Sequence, residues 1–361
     1  MKLRLSSCLM LPIVLVLTGC TSGGGGDGGF GNGATGIAYV VNTGPNEISA
    51  YTTDVVGALR GAGTVALAKV PSSMAVTSNL TFAFVGTNDG IFAFRVNPVT
   101  AELASVSGSP FSTGMNIRAV EVSRTGQFLY AANNNGTVAA YSIHATTGVL
   151  TLIENETVGT SPSGVALSAT GQFLFVSNQG SNNITAFRVD GTTGALTFEE
   201  NESAGTSPSG VVATASGTGG FLFASNQGSN TVSAYTIDGT TGALTFVETE
   251  NVGTSPSGVA VSPNGQFLYV SNQGSNDVSG LTINATTGAL TAIGSSTFSA
   301  GASPSGLTIE PDGQFVYIAN SGGGGDVSGF RITAGTGALV SLGATFPAGT
   351  TPVGIATPGY P

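Results

Sequence analysis

Histidine occurs once in this chain, cysteine twice, and charged residues make up only 8% of it. Each scarcity closes off a class of function. Two cysteines cannot build a disulfide framework. A single histidine, with no zinc-type spacing around it, rules out a histidine-rich metal centre. The nine Lys and Arg residues form no cluster and face 19 Asp and Glu, which excludes a nucleic-acid binder. No phosphate loop, dinucleotide fingerprint or HExxH sequence appears, and no cofactor is expected. The body has no helical period. Its one long glycine run outside the N-terminal segment, Gly322–Gly325, lies in a predicted hairpin with no helix after it, so it is no phosphate cradle.

What is present begins at the N-terminus. Lys2 and Arg4 precede an apolar run, Leu9–Leu17, that is too short to span a bilayer and has the form of a secretory signal. It ends in "LTGC", Leu17–Cys20, which resembles the lipobox of bacterial lipoproteins. That resemblance implies cleavage after residue 19 and lipid attachment at Cys20, with Thr21 favouring the outer membrane. Cys8 would leave with the signal, so lipidation would give a role to the one remaining thiol. Two or more acyl chains hold a protein firmly to a membrane. Residues 20–35 are glycine-rich and predict a flexible tether.

The body, residues 36–361, is a repeat. "SPSG" starts at Ser161, Ser207, Ser255 and Ser303, at intervals of 46, 48 and 48 residues, and "TPVG" follows 48 later at Thr351. Apolar runs of the "FLYVSN" type begin at Ala38, Phe82, Phe128, Phe173, Phe221, Phe267 and Phe315. "TTGAL"-type turns end at Leu59, Leu103, Leu150, Leu196, Leu244, Leu290 and Leu339. Both markers count seven.

One unit, Ser161–Gly205, predicts four strands separated by Gly, Asn, Ser and Thr turns. The second strand is apolar at successive positions, as expected of a strand sandwiched between neighbouring sheets. The fourth carries charge: Glu154 and Glu156, then Glu199, Glu200 and Glu202, then Glu248 and Glu250. Charge on an outer edge discourages pairing with other molecules. The body opens on a second strand, "GIAYVVN", and closes on a first strand, "TPVGIATP". Those ends fit each other. The prediction is an all-β, seven-bladed propeller of four-stranded antiparallel blades, its ring closed by the C-terminal strand completing the N-terminal blade.

"YVVN" at Tyr39–Asn42, "SPSGVAVSPNGQFLYVSN" at Ser255–Asn272 and the "TTGAL" turns resemble the lactonase-type seven-bladed propellers and the YVTN-repeat propellers of microbial surfaces. The resemblance covers nearly the whole body. It implies a group that includes hydrolases of six-carbon sugar lactones, muconate-lactonizing enzymes and proteins without catalysis. The group's enzymes act in the central channel with basic, acidic and imidazole groups. His144 does not match such a role, because it stands where Asp190, Asp238 and Asn284 stand in other units, beside a turn.

The repeats serve as controls for one another. Arg118 replaces the serine found at 163, 209, 257 and 305, and Glu121 replaces the alanine found at 166 and 260. Both fall in a first strand, predicted to line the channel, either as a mutual ion pair or as an anion-holding site. Lys69 and Asp89 are predicted on the same rim. These four are the candidate channel-mouth residues; no catalytic residue is assigned and no metal site is expected. "SNQGSN", which occurs three times, reads as a hairpin turn, yet with the "SPSG" loops it could present a ring of hydroxyl and amide groups. Calcium is disfavoured, since carboxylates such as Asp277 and Asp326 stand alone. The expectation is a monomeric envelope lipoprotein whose propeller binds a glycan or envelope protein without nucleic acid, with a 6-phosphogluconolactonase-like lactone hydrolase as the alternative.

Overall fold

A computed structural model of the chain describes residues 34–111, 116–214 and 220–358. Cys20 and the tether as far as residue 33 lie outside the described residues, and Ala34 and Thr35, counted with the tether above, already belong to a strand. The strands form seven four-stranded antiparallel sheets. Six are contiguous in sequence. The seventh pairs Pro352–Ala356 with Ala34–Asn42, and that strand in turn with Glu47–Asp54 and Leu59–Ala66. Tyr39 stands opposite Ala356 and Val40 opposite Ile355. The two ends of the body therefore complete one blade, as expected. Numbering this composite sheet blade 1, blades 2 to 7 follow in chain order.

The second strand of blades 2 to 7 is buried at every position, as in Phe128–Asn133, Phe173–Asn178 and Phe267–Asn272. Both faces of a blade meet a neighbour, so no alternation is needed. Seven apolar clusters fill the seven seams. In one, Phe128 and Tyr130 of blade 3 pack on Val165, Leu174 and Phe187 of blade 4. Each fully buried large side chain contributes about 1.5–3 kcal/mol.

The recurring motifs are the hardware of these seams. The glycine of each "TTGAL" turn has a left-handed backbone: Gly194 has φ +77° and Gly242 φ +80°. A Cβ on Gly194 would stand 2.3 Å from the Phe128 ring, and one on Gly242 the same distance from Phe173. The turn thus lies flat on a phenylalanine of the preceding blade. Tyrosines clamp the same turns: Tyr130 Oη donates to Gly194 O at 3.2 Å, Tyr269 Oη to Gly337 O at 2.6 Å, and across the closing seam Tyr317 Oη to Gly57 O at 2.9 Å.

"SNQGSN" has a structural answer. Its first asparagine is buried, and the amide of Asn178 donates to Thr185 Oγ1 at 2.9 Å within its own blade. Its last asparagine is left-handed, with φ 55° at Asn182 and 58° at Asn230 and Asn276. Asn182 Oδ1 accepts from Ser207 N, Asn230 from Ser255 N and Asn276 from Ser303 N, at 2.7–2.8 Å. Those serines open the "SPSG" motifs and are themselves left-handed, with φ 51–52°. The two motifs hold each other across a seam.

Candidate functional site

The first strands ring a central channel. Its upper face, defined by the "SPSG" and "SNQGSN" loops, opens to a cavity of about 380 Å³. Its lower face, at the hairpins leading into the second strands, opens to one of about 300 Å³. Val165, Val211 and Val259 line both. They belong to an apolar collar completed by Met74, Val120, Leu307 and Ile355.

The upper rim carries Ser72, Arg118, Ser163, Ser209, Ser257, Ser305 and Val353 in corresponding places. The serines do not form the free hydroxyl ring expected from the sequence. Ser163 Oγ donates to Pro208 O at 2.7 Å, Ser209 to Pro256 O at 2.8 Å, Ser257 to Ser305 O at 2.8 Å and Ser305 to Pro352 O at 3.0 Å. Each hydroxyl staples its strand to the next blade. Arg118 replaces one staple and has no hydrogen bond or ion pair among the described residues.

The lower cavity holds Glu121. Its carboxyl projects into a wall otherwise made of Val165, Ala166, Leu167, Val211, Val212, Ala213 and Val259. Burial among these side chains pushes its pKa up from 4.5 to about 7, and the nearby Arg124 guanidinium pulls the other way. Arg124 lines the same cavity from the hairpin that follows the strand. The two are not in direct ion-pair contact.

The four sequence candidates therefore divide. Arg118 and Glu121 both line the channel, but at opposite mouths, and the ion pair considered between them does not form. The strand explains this: three residues of extended chain set them about 10 Å apart along the channel. Lys69 and Asp89 pair with each other at 2.6 Å on a half-exposed surface of blade 2 and line neither channel cavity. His144 is the turn residue expected: its Nδ1 accepts from Thr146 N and Thr147 N at 3.3 Å, as Asp190 Oδ1 does from Thr192 N and Thr193 N.

The outer glutamates do more than repel neighbours. Glu154, Glu200 and Glu248 each accept from the backbone N–H of Leu196, Leu244 and Leu290 in the following blade. Among the described residues no group of three or more His, Cys, Asp or Glu could hold a metal.

Sequence reasoning missed Arg124 and Glu310. The latter is buried where five blades carry a hairpin hydroxyl: Thr77, Ser123, Ser168, Thr214 and Ser262 accept from the N–H of the following phenylalanine. The internal comparison that singled out Glu121 would also have marked "EPDG" against "SPNG".

The profile of the lactonase seven-bladed β-propellers matches residues 104–213 and 206–301. The chain belongs to this lactonase propeller family. Within it, a stretch of 69 residues, 18% of the chain, is 44% identical to a 6-phosphogluconolactonase of Formosa agariphila and covers 20% of that protein. The match thus spans about a fifth of that curated relative. Among solved structures, the lactonase-family ring superposes on the periplasmic gluconolactonase of Pseudomonas aeruginosa with a TM-score of 0.76 at 20% identity, over 90% of this chain and 99% of that one. A Bacteroides fragilis protein provisionally described as a 6-phosphogluconolactonase gives 0.78 at 17% identity, over 92% and 99%. At these identities the structural likeness establishes the fold.

Proposed function

We propose that this propeller hydrolyses lactones at the lower mouth of its channel, with Glu121 as general base and Arg124 as the cation that holds the developing oxyanion. The observation that carries the reading is a carboxyl in an apolar wall, titrating near 7, beside an arginine. Family membership and the lactonase names among its relatives support the reaction class. The binding-module reading has less support, because the rim hydroxyls it relied on are engaged between blades.

The chemistry balances without a cofactor. Glu121 takes a proton from water as that water attacks the lactone carbonyl. Negative charge develops on the carbonyl oxygen, where Arg124 stabilises it. Collapse breaks the ring C–O bond, Glu121 returns its proton to the departing alkoxide, and a hydroxy acid results. A base with a pKa near the working pH combines availability with proton affinity.

Proton release from five- and six-membered lactones, followed at constant pH on the purified protein, tests this. Glu121→Gln is expected to lower kcat by about 10²–10⁴-fold. Arg124→Ala is expected to lower kcat/KM with the fold intact. Wild-type kcat/KM should rise as pH increases through about 7 and level off above it, since only the ionised carboxyl accepts a proton. A rate indifferent to Glu121→Gln would overturn the assignment. We further propose attachment to the cell envelope through Cys20, supported by the "LTGC" sequence. Incorporation of a labelled fatty acid that is lost in Cys20→Ser checks it.

A further inference from the structure

We infer that the lower cavity selects lactones bearing hydrocarbon over phosphorylated or heavily hydroxylated sugar lactones. The inference rests on the lactone-hydrolase reading of this site and adds a substrate class to it.

The wall facing Glu121 and Arg124 is built from Val165, Leu167, Val211, Val212, Ala213 and Val259 and offers no hydrogen-bonding side chain. The two serines that line the cavity are already engaged. Ser78 Oγ donates to Arg124 O at 3.0 Å, and Ser123 Oγ accepts from Phe128 N at 3.0 Å. A polyhydroxylated ring held there would leave several hydroxyls without partners, and a buried hydroxyl without a partner is penalised.

Phosphate fits no better. A phosphate dianion is held by several charge-assisted donors, commonly a bidentate arginine with others around it. The described hairpins around this mouth, residues 77–81, 123–127, 168–172, 262–266 and 310–314, carry Arg124 as their one cation, together with Glu310 and Asp312. Arg124 is needed at the carbonyl, and Glu121 stands beside it as a carboxylate above pH 7. A second negative charge would meet repulsion.

Size sets the rest. A space of about 300 Å³ stands at the small end of the range for small-molecule sites. A five-membered lactone with a short alkyl chain fills it: ester at Glu121 and Arg124, chain against the valines. Each methylene buried there should raise kcat/KM roughly fourfold until the cavity is full.

The experiment measures kcat/KM of the purified full chain for γ-valerolactone, γ-hexalactone, γ-octalactone and γ-dodecalactone, beside glucono-δ-lactone and its 6-phosphate. The expected result is a rise with chain length that stops near γ-octalactone, with both sugar lactones at least tenfold below that maximum. Val211→Asn, which places an amide in the apolar wall, should flatten the chain-length dependence. A flat series, or a sugar lactone as the best substrate, overturns the inference while leaving the hydrolase standing. If no lactone is turned over, the hydrolase reading falls, and calorimetry with the matching alkyl γ-lactams then reads the cavity alone. Affinity that grows with chain length supports the hydrocarbon preference; no binding ends it.

Discussion

Glu310 stands at the seam between blade 7 and the composite blade 1. Tyr317 Oη lies 3.4 Å from its Oε1, and the Thr53 hydroxyl also bonds it. Burial raises its pKa from 4.5 to about 7, with the charges of Asp312 and Asp54 adding to the rise. A carboxyl raised on folding favours the folded state fully below about pH 4.5, and that contribution is lost as pH climbs through 7. Glu310→Gln removes the titration. It is expected to stabilise the protein above pH 7 by up to ~3 kcal/mol and to change nothing below pH 4.5, as read by denaturant midpoints across that range. Glu310 and Arg124 depart from the repeat, as "EPDG" and "SRTG" do from "SPNG" and "SATG", but the departure alone does not say that either meets a seam or a cavity. A charged residue in a polar hairpin looks solvated until the neighbouring blade is placed against it. Glu121 was legible because its counterparts at 166 and 260 are alanines, and an acid in an apolar repeat position stands out. Its separation from Arg118 follows from three residues of extended strand, about 10 Å, once that strand is placed along the channel.

Strands and turns were legible almost throughout. Gly, Asn and Pro at fixed offsets mark where the chain must reverse, and a run such as Phe173–Asn178 has apolar residues on both faces. The partners of the polar residues were not legible, because most bonds cross from blade to blade over intervals near 46 residues. Ser209 shows this: its hydroxyl reaches Pro256 O and Ser257 O in the next unit. Ser209→Ala should cost about 1–2 kcal/mol, measured by equilibrium unfolding, and leave lactone turnover unaltered. Gly194→Ala should cost more. It would combine a left-handed φ of +77° with a Cβ 2.3 Å from the Phe128 ring. A fall in stability of ~3 kcal/mol or more is expected from backbone strain and overpacking together. The outer strands hold a further contrast. Glu154, Glu200 and Glu248 tie three successive blades to the next, whereas Gly294, Gly343 and Gly63 occupy that position in blades 6, 7 and 1.

At the scale of the whole molecule, closure rests on a short pairing of Pro352–Ala356 with the strand that starts the body. Without it, the inner edge of Ala34–Asn42 would present unpaired N–H and C=O groups. Truncation before Pro352 is expected to lower the midpoint of thermal unfolding and to cause association at micromolar concentration, followed by light scattering. The count of seven and the matched ends were both legible in the sequence, because circular order shows itself as a cut in the repeat. Which face carries the proposed site was not. Both described ends of the body lie on the lower side: Ala34 pairs with Asp54 beside the turn at Gly57, and the final strand runs from Pro352 down to Ala356.

That closing sheet also sets a clock. Its inner strand and its three companions come from opposite extremities of the polypeptide, so a ribosome delivers the partner of Tyr39 only after some three hundred further residues have emerged. Until then the nascent protein is an open arc. The amides of Ala34–Asn42 that point to Pro352–Ala356 should be the last in their blade to gain protection from deuterium exchange during refolding.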